Sequence, residues 1–224
     1  MKHGFIAAFS GLLIAIGAVP AKAQPPAEPR LSVSVGPDWI GRMDLGGRDA
    51  TLTANPGGTF PLFTVESTLR GGMGASGALG LRVARGLWLE LTGRYHSARL
   101  TSRVTGDWEA NDETAREAIQ QIVIQGGGMW MPAPWRLGSA VRFFVSGGAG
   151  HVRQLHASQT LAETGRAYYA GGGAVVSLPQ RRGGTFKASG LRIDLRATAL
   201  ERGVAFDERL HVAPGIWAAL FLRF

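Results

Sequence analysis

Beyond residue 30 the chain returns again and again to segments of about ten residues that alternate apolar and polar side chains. Leu31-Ser32-Val33-Ser34-Val35-Gly36 alternates without a break, as do Leu87-Trp88-Leu89-Glu90-Leu91-Thr92-Gly93-Arg94-Tyr95-His96 and Leu191-Arg192-Ile193-Asp194-Leu195-Arg196-Ala197-Thr198. A period of two is that of a β-strand, whose successive side chains point to opposite faces. A strand crossing a bilayer at a tilt needs about 9–11 residues, whereas a helix needs about 20 apolar ones. No stretch after residue 23 is apolar for that long. Two architectures fit this pattern. A soluble β-sandwich hides its apolar face in a core, and a membrane barrel turns it outward to lipid.

The alternation predicts eight strands, at about 31–42, 73–85, 87–103, 118–131, 139–155, 166–179, 189–202 and 209–224. The connections at Arg85-Gly86 and Pro132-Ala133-Pro134 are short, and that from Gln180 to Ser189 is longer and Gly-rich. Those at 43–72, 104–117 and 156–165 are longer or more polar, and 111–118 is expected to form a helical turn. Short turns on one side and long loops on the other are the asymmetry of an outer-membrane barrel, and an even strand count puts both ends on the periplasmic side. Trp88, Trp130 and Trp135 fall beside the short turns, with Trp39 and Tyr95 near the opposite strand ends, as in two interfacial girdles. Trp88 is an imperfect member, since its parity points it inward.

The chain ends on an amphipathic strand. Val212, Pro214, Ile216, Ala218, Leu220, Leu222 and Phe224 share one face. Pro214 removes a ladder donor and is expected to mark a bulge or the strand's exit from the membrane. At the other end, Lys2 and His3, the apolar run Phe5 to Val19 and the small-x-small site Ala21-Lys22-Ala23 read as a cleavable secretory signal. The expected organisation is a signal over 1–23, a short leader over 24–30 and one domain over 31–224. Without cysteine, neither a disulfide framework nor a cysteine metal site is available. The net charge of +8 falls to +6 without Lys2 and Lys22, and Lys187 is then the only lysine. An exported chain argues against nucleic acid as partner, and an Arg-rich surface suits phosphorylated lipid.

With its secretory signal, strand count, loop asymmetry, Gly-rich returning strands and Leu220-Phe221-Leu222-Arg223-Phe224 terminus, the chain resembles the small eight-stranded outer-membrane proteins, the group of outer membrane proteins A, X and W. The resemblance implies an all-β, eight-stranded antiparallel up-and-down transmembrane barrel in the bacterial outer membrane. Leu220, Leu222 and Phe224 would be the signal read by the barrel assembly machinery. No cofactor is expected, nor a peptidoglycan-binding domain after the last strand.

The interior of an eight-stranded barrel is filled by its own side chains. Parity places Arg82, Glu90, Arg94, Arg142, Arg192, Asp194, Arg196 and Arg223 there as a polar network, with Arg82 opposite Glu90 across the turn at 85–87. Six Arg against two acids is unbalanced. Some Arg then lie at the wet ends, loop acids fold inward, or the lumen holds water and anions. The clusters Gly126–Gly128, Gly147-Gly148 and Gly171–Gly173 lack a following Lys-Ser/Thr, so they make room for large side chains rather than cradle phosphate.

His96-Ser97 invites comparison with the outer-membrane lipid A deacylases, which use a His-x-Ser spacing. Adjacent residues of a regular strand point to opposite faces, so no catalytic residue is assigned. His151 and His156 show no metal-ligand spacing. Asp107, Glu109, Asp112, Glu113 and Glu117 make the second outer loop acidic, while Arg99 and Arg103 lie where lipopolysaccharide phosphates would sit. Arg181, Arg182 and Lys187 make a basic periplasmic turn. The expected function is a non-enzymatic, monomeric barrel serving envelope integrity or surface interaction, its partners being outer-membrane lipids, lipopolysaccharide and the assembly machinery. The alternatives are a narrow anion-preferring channel and a lipid A-modifying enzyme.

Overall fold

A computed structural model describes residues 29–54, 57–107, 110–157, 161–178, 186–205 and 209–224. The secretory signal, most of the leader, Glu109, Arg181 and Arg182 lie outside the described residues. Within them are ten strands: β1 (Leu31–Ile40), β2 (Met43–Ala54), β3 (Gly58–Ala84), β4 (Leu87–Thr105), β5 (Glu113–Trp130), β6 (Arg136–Leu137), β7 (Val141–His156), β8 (Ala162–Ser177), β9 (Ala188–Arg202) and β10 (Leu210–Arg223).

Eight of them close a ring, in the order β1, β3, β4, β5, β7, β8, β9, β10 and back to β1, every pair antiparallel. Closure leaves the ring no free edge, the condition for a sheet to stand in lipid. β2 prolongs β1 past a break at Gly41-Arg42 and pairs with the first half of β3, while β6 is a two-residue return against the start of β7. Walking the register once round the ring from Ser34 leads through Ala78, Thr92, Gln125, Gly150, Ala167 and Leu200 to His211. Ser34 itself pairs with Phe221, so the sheet closes with a stagger of ten residues. A stagger of that size tilts the strands by about 40° and leaves an interior only side chains can fill.

Side chains follow the pleat without exception along β4 from Leu87 to Arg99, exposed and buried in turn. Leu79, Leu89, Leu91, Ile124, Leu195 and Leu220 are each more than half exposed, whereas Glu90, Arg94, Arg192, Asp194 and Arg196 are buried. A sandwich would show the reverse. The large apolar belt faces outward and the charges face in, which excludes the soluble alternative. Short connections, such as the two-residue turn Arg85-Gly86, mark the inner end. There Gly86 takes a φ of 77°, a left-handed conformation that glycine adopts without penalty. Arg30 N–H donates to Phe224 O at 3.0 Å at this same end, so the first and last strands meet there.

Three expectations need correction. Residues 43–72 are mostly strand, not loop. The period-two signal fails there because register shifts between Asp44 and Gly47, Ala50 and Thr51, and Arg70 and Met73 each break the alternation. Residues 113–118 are the start of β5 and not a helical turn, with Glu113 opposite Val104 and Glu117 opposite Leu100. The long β4 offers a partner ladder that overrides local preference. The turn after β5 is also longer than its prolines suggest, running from Met131 to Ala140 around β6.

Candidate functional site

The interior is built in two storeys. The outer half is mainly apolar, with Ile40, Met43, Leu45, Leu69, Ile119, Val152, Leu200 and Ala213 packed as one cluster and Gln121 and Gln154 buried beside them. The inner half is charged and aromatic. At its centre Asp38 of β1 receives two hydrogen bonds from Arg94 of β4, Nε–H to Oδ2 at 2.6 Å and Nη2–H to Oδ1 at 2.9 Å. Ser76 Oγ–H also donates to Asp38, and His96 Nε2 lies 3.0 Å from its Oδ2. The four residues come from the adjacent strands β1, β3 and β4, where register puts Asp38 opposite Gly74 and Ser76 opposite Arg94.

Nearer the inner end, Arg192 of β9 reaches Glu90 of β4 in a two-pronged contact of 2.5 and 3.0 Å. Asp194 accepts from Arg192 at 2.9 Å and from Arg196 at 2.7 Å. Aromatic faces hold the remaining positive charge. The Arg192 guanidinium lies 4.8 Å from the rings of both Phe144 and Trp217, Arg196 lies 4.6 Å from Tyr169, and Arg223 lies 4.9 Å from Trp88. Each such contact stabilises a desolvated cation by about 2 kcal/mol. Gly127 and Gly148 leave the room that the Tyr169 ring fills.

Of the eight residues expected in this network, Glu90, Arg94, Arg192, Asp194, Arg196 and Arg223 are buried in the interior. Arg142 is exposed and Arg82 half-buried, both at the inner rim where the strands run out, and Arg82 Nε–H donates to Ala84 O at 3.3 Å. Arg82 is not opposite Glu90. The irregularity between Arg82 and Ala84 shifts the register so that Arg82 faces Trp88 and Glu90 faces Gly80. Asp38 went unrecognised, although it shares the even parity of Ser32 and Ser34 on its strand. With Asp38 counted and the two rim Arg removed, four buried Arg stand against three buried acids.

The packing leaves little room. An interior cavity lined by Glu90, Arg192, Phe221 and Arg223 measures about 10 Å³. Both amide atoms of Gln125, Ser146 Oγ, Tyr169 Oη and Trp217 Nε1 are buried without a protein partner among the described residues. Buried polar groups of this kind are ordinarily served by single waters. His96 points inward and Ser97 is exposed on the outer wall, so they share no site. No group of three His, Asp or Glu side chains is placed to hold a metal among the described residues.

On the outer wall, Arg99 lies opposite Arg70 on β3, both exposed. Arg103 makes a surface ion pair with Asp112 at 3.1 Å. At the mouth, His156 Nδ1 and Glu117 Oε2 are 2.8 Å apart and Ala157 N–H donates to Glu117 Oε1 at 3.1 Å. The hydrogen bond from His156, with the Ala157 amide adding to it, holds the Glu117 carboxyl below the usual carboxylate range. At the inner end Leu220 is exposed, Leu222 half-buried, and Phe224 meets Phe186 edge to face at 5.1 Å. Trp130 and Trp135 pack at 6.0 Å, while Trp88 is buried inside and belongs to no girdle.

No family model and no curated protein matches the sequence. Solved structures do. Neisserial surface protein A is similar over 87% of this chain and 97% of its own, with 9% identity and a TM-score of 0.52. The outer membrane protein OprG from Pseudomonas aeruginosa is similar over 88% of this chain and 96% of its own, with 10% identity and a TM-score of 0.54. The ring of eight, its outward apolar belt and these likenesses agree, and the chain has the fold of the small eight-stranded outer-membrane β-barrels.

Proposed function

We propose that this is a non-enzymatic protein of the bacterial outer membrane whose barrel is a solid anchor for the sheet it raises outside. Its role is envelope integrity or surface interaction. The observation that carries this reading is the interior filled by side chains, with its charges paired to one another or to aromatic rings and a cavity of only about 10 Å³ beside Glu90 and Arg192. A conducting lumen needs a continuous wet path, and the apolar storey formed by Ile40, Leu69, Ile119 and Val152 lies across it. The sheet of β2 to β5 stands beyond the ring and exposes Leu52, Phe60 and Leu62 to contact. Arg99, with Arg70 beside it, would meet lipopolysaccharide phosphate, and so would Arg103 further out. The barrel acts as a monomer, needs no cofactor and takes no nucleic acid. Leu220, Leu222 and Phe224 of the last strand are what the assembly machinery reads.

Single-channel recording of the refolded protein tests the solid anchor. The expected result is no conductance above that of the bare bilayer, and regular unitary steps would overturn the reading in favour of the anion-preferring channel. Mass spectrometry of lipid A from cells with and without the protein should give one acyl pattern. An altered pattern would point instead to lipid A modification.

A further inference from the structure

The wall of the barrel is not evenly clothed. On β4 the outward residues Leu87, Leu89 and Leu91 are large, and on β9 so are Leu191, Ile193 and Leu195. Between them, at mid-height on β5, β7 and β8, the outward positions include Gly126, Ala149 and Ala170, although Ile122, Ile124, Phe143 and Val145 on the same strands are large. The result is a groove of about 460 Å³ floored by Gly126 and Ala149 and walled by Ile124 and Tyr168. That volume lies within the range of small-molecule sites.

Internal packing does not call for the glycine at 126. A Cβ built there would meet nothing within 4 Å, and its φ is not left-handed. The neighbouring Gly127 differs, since a side chain there would strike Tyr169 and the backbone of β7. Leucine at 126 would bury more apolar surface against the belt, so the absent side chain leaves space for something outside the protein.

The groove also has a polarity. β7 runs outward, so His151 and then Arg153 follow Ala149 toward the outer surface, and His151 pairs in register with Arg166 of β8. Arg153 has no ion-pair partner among the described residues, and Arg166 has only Glu201, at 3.7 Å. Glu201 also accepts from Tyr168 Oη–H at 3.0 Å and is the acid at this end. A small-floored apolar channel that opens outward onto two Arg and a His matches one acyl chain below a phosphate.

We propose that this groove binds one phosphorylated glycolipid of the outer leaflet, with an acyl chain laid over Gly126 and Ala149 and a phosphate held by Arg153, Arg166 and His151. A phospholipid of the inner leaflet would bring its headgroup to the opposite end, where the groove offers no cation. The inference rests on the outer-membrane reading above.

The test uses the full mature barrel, refolded and delipidated in detergent, then given hexa-acylated lipid A, phosphatidylglycerol or phosphatidylcholine and examined by native mass spectrometry. One lipid A is expected per barrel, with weaker retention of phosphatidylglycerol and none of phosphatidylcholine. Gly126→Leu and Ala149→Leu should fold with unchanged heat-modifiable mobility and retain lipid A about tenfold less well. Arg153→Gln and Arg166→Gln should each lower retention by a similar factor of about ten, the loss of one charge-assisted contact. Undiminished retention in Gly126→Leu, equal retention of phosphatidylglycerol, or no retention by a folded wild-type barrel would overturn the proposal. Failure of the outer-membrane reading shows separately, as a wild-type protein with a single gel mobility in the soluble fraction.

Discussion

Asp38 shows how much one side chain can hold inside such a barrel. It is the acceptor for Arg94, lies against His96 and receives the Ser76 hydroxyl, all away from bulk water. Removing one member of a buried charge group leaves the others unpaired, at a cost of about 3–5 kcal/mol. Asp38→Ala is therefore expected to lose that much in urea unfolding from lipid vesicles, and Arg94→Ala a similar amount. The double variant should cost clearly less than the sum, and additivity within about 0.5 kcal/mol would contradict the pairing. The parity of Glu90, Arg94, Arg192, Asp194 and Arg196 was readable directly, because their strands alternate without interruption. Asp38 lay on an equally readable face. What the sequence could not show is which acid meets which Arg, since those contacts cross between strands whose register only the closed ring determines. The aromatic partners were equally invisible, since Phe144, Tyr169 and Trp217 lie on strands remote in sequence from at least one Arg they face.

Among the elements, the seam between β1 and β10 keeps a single register but is not paired throughout. Pro214 turns its carbonyl to Gly41 N–H across this seam at 2.7 Å, so its missing donor is also on the seam side. Ladder pairing lapses at Gly36 and Pro37. Phe224 steadies the inner end of the seam, with its N–H donating to Leu31 O at 3.0 Å and its ring against Phe186. Phe224→Ala is expected to lower the folded, membrane-inserted fraction severalfold in pulse-labelled cells, and normal insertion would count against the assembly role of this residue. At the outer end, Glu117 clamps Ala157 of the turn after β7. Its folded-state pKa is depressed relative to the free value of about 4.3, so the clamp is in place above that value and is lost as pH falls through the folded one. Hydrogen-exchange protection of the Ala157 amide should therefore hold down to about pH 4.3 and fall only below it, with ring strands unaffected. Glu117→Gln should flatten that dependence, and an unchanged profile would show that another group controls the turn. The sequence hid β2 and the outer half of β3 for a physical reason already visible in the register. Bulges at Gly46-Gly47 and Gly71-Gly72 reverse the facing of all that follows, so an alternation counted straight through them dissolves into noise.

At the scale of the whole molecule, the ring and its inside-out polarity were legible because closure needs only strand number, length and alternation. A sheet closed on every side is hard to open, and the native barrel should resist SDS until heated, with two gel mobilities. A single mobility at all temperatures would argue against a closed ring. What strand counting could not convey is the slant of the outer rim. β3 has 27 residues and β10 only 14, a difference of about 40 Å along the strand at about 3.3 Å per residue. One side of the mouth therefore stands as a parapet of β2, β3, β4 and β5, and the other ends low, near the lipid heads. Objects approaching the cell surface are sorted by reach. On the proposed reading, something large, kept at a distance by neighbouring sugar chains, would touch the parapet first, while a lipid sliding in the plane would meet the low flank where Arg153 and Arg166 lie. β5 belongs to both surfaces, its outer end to the parapet and its Gly126 to the floor of the groove, so the two would be joined along one strand.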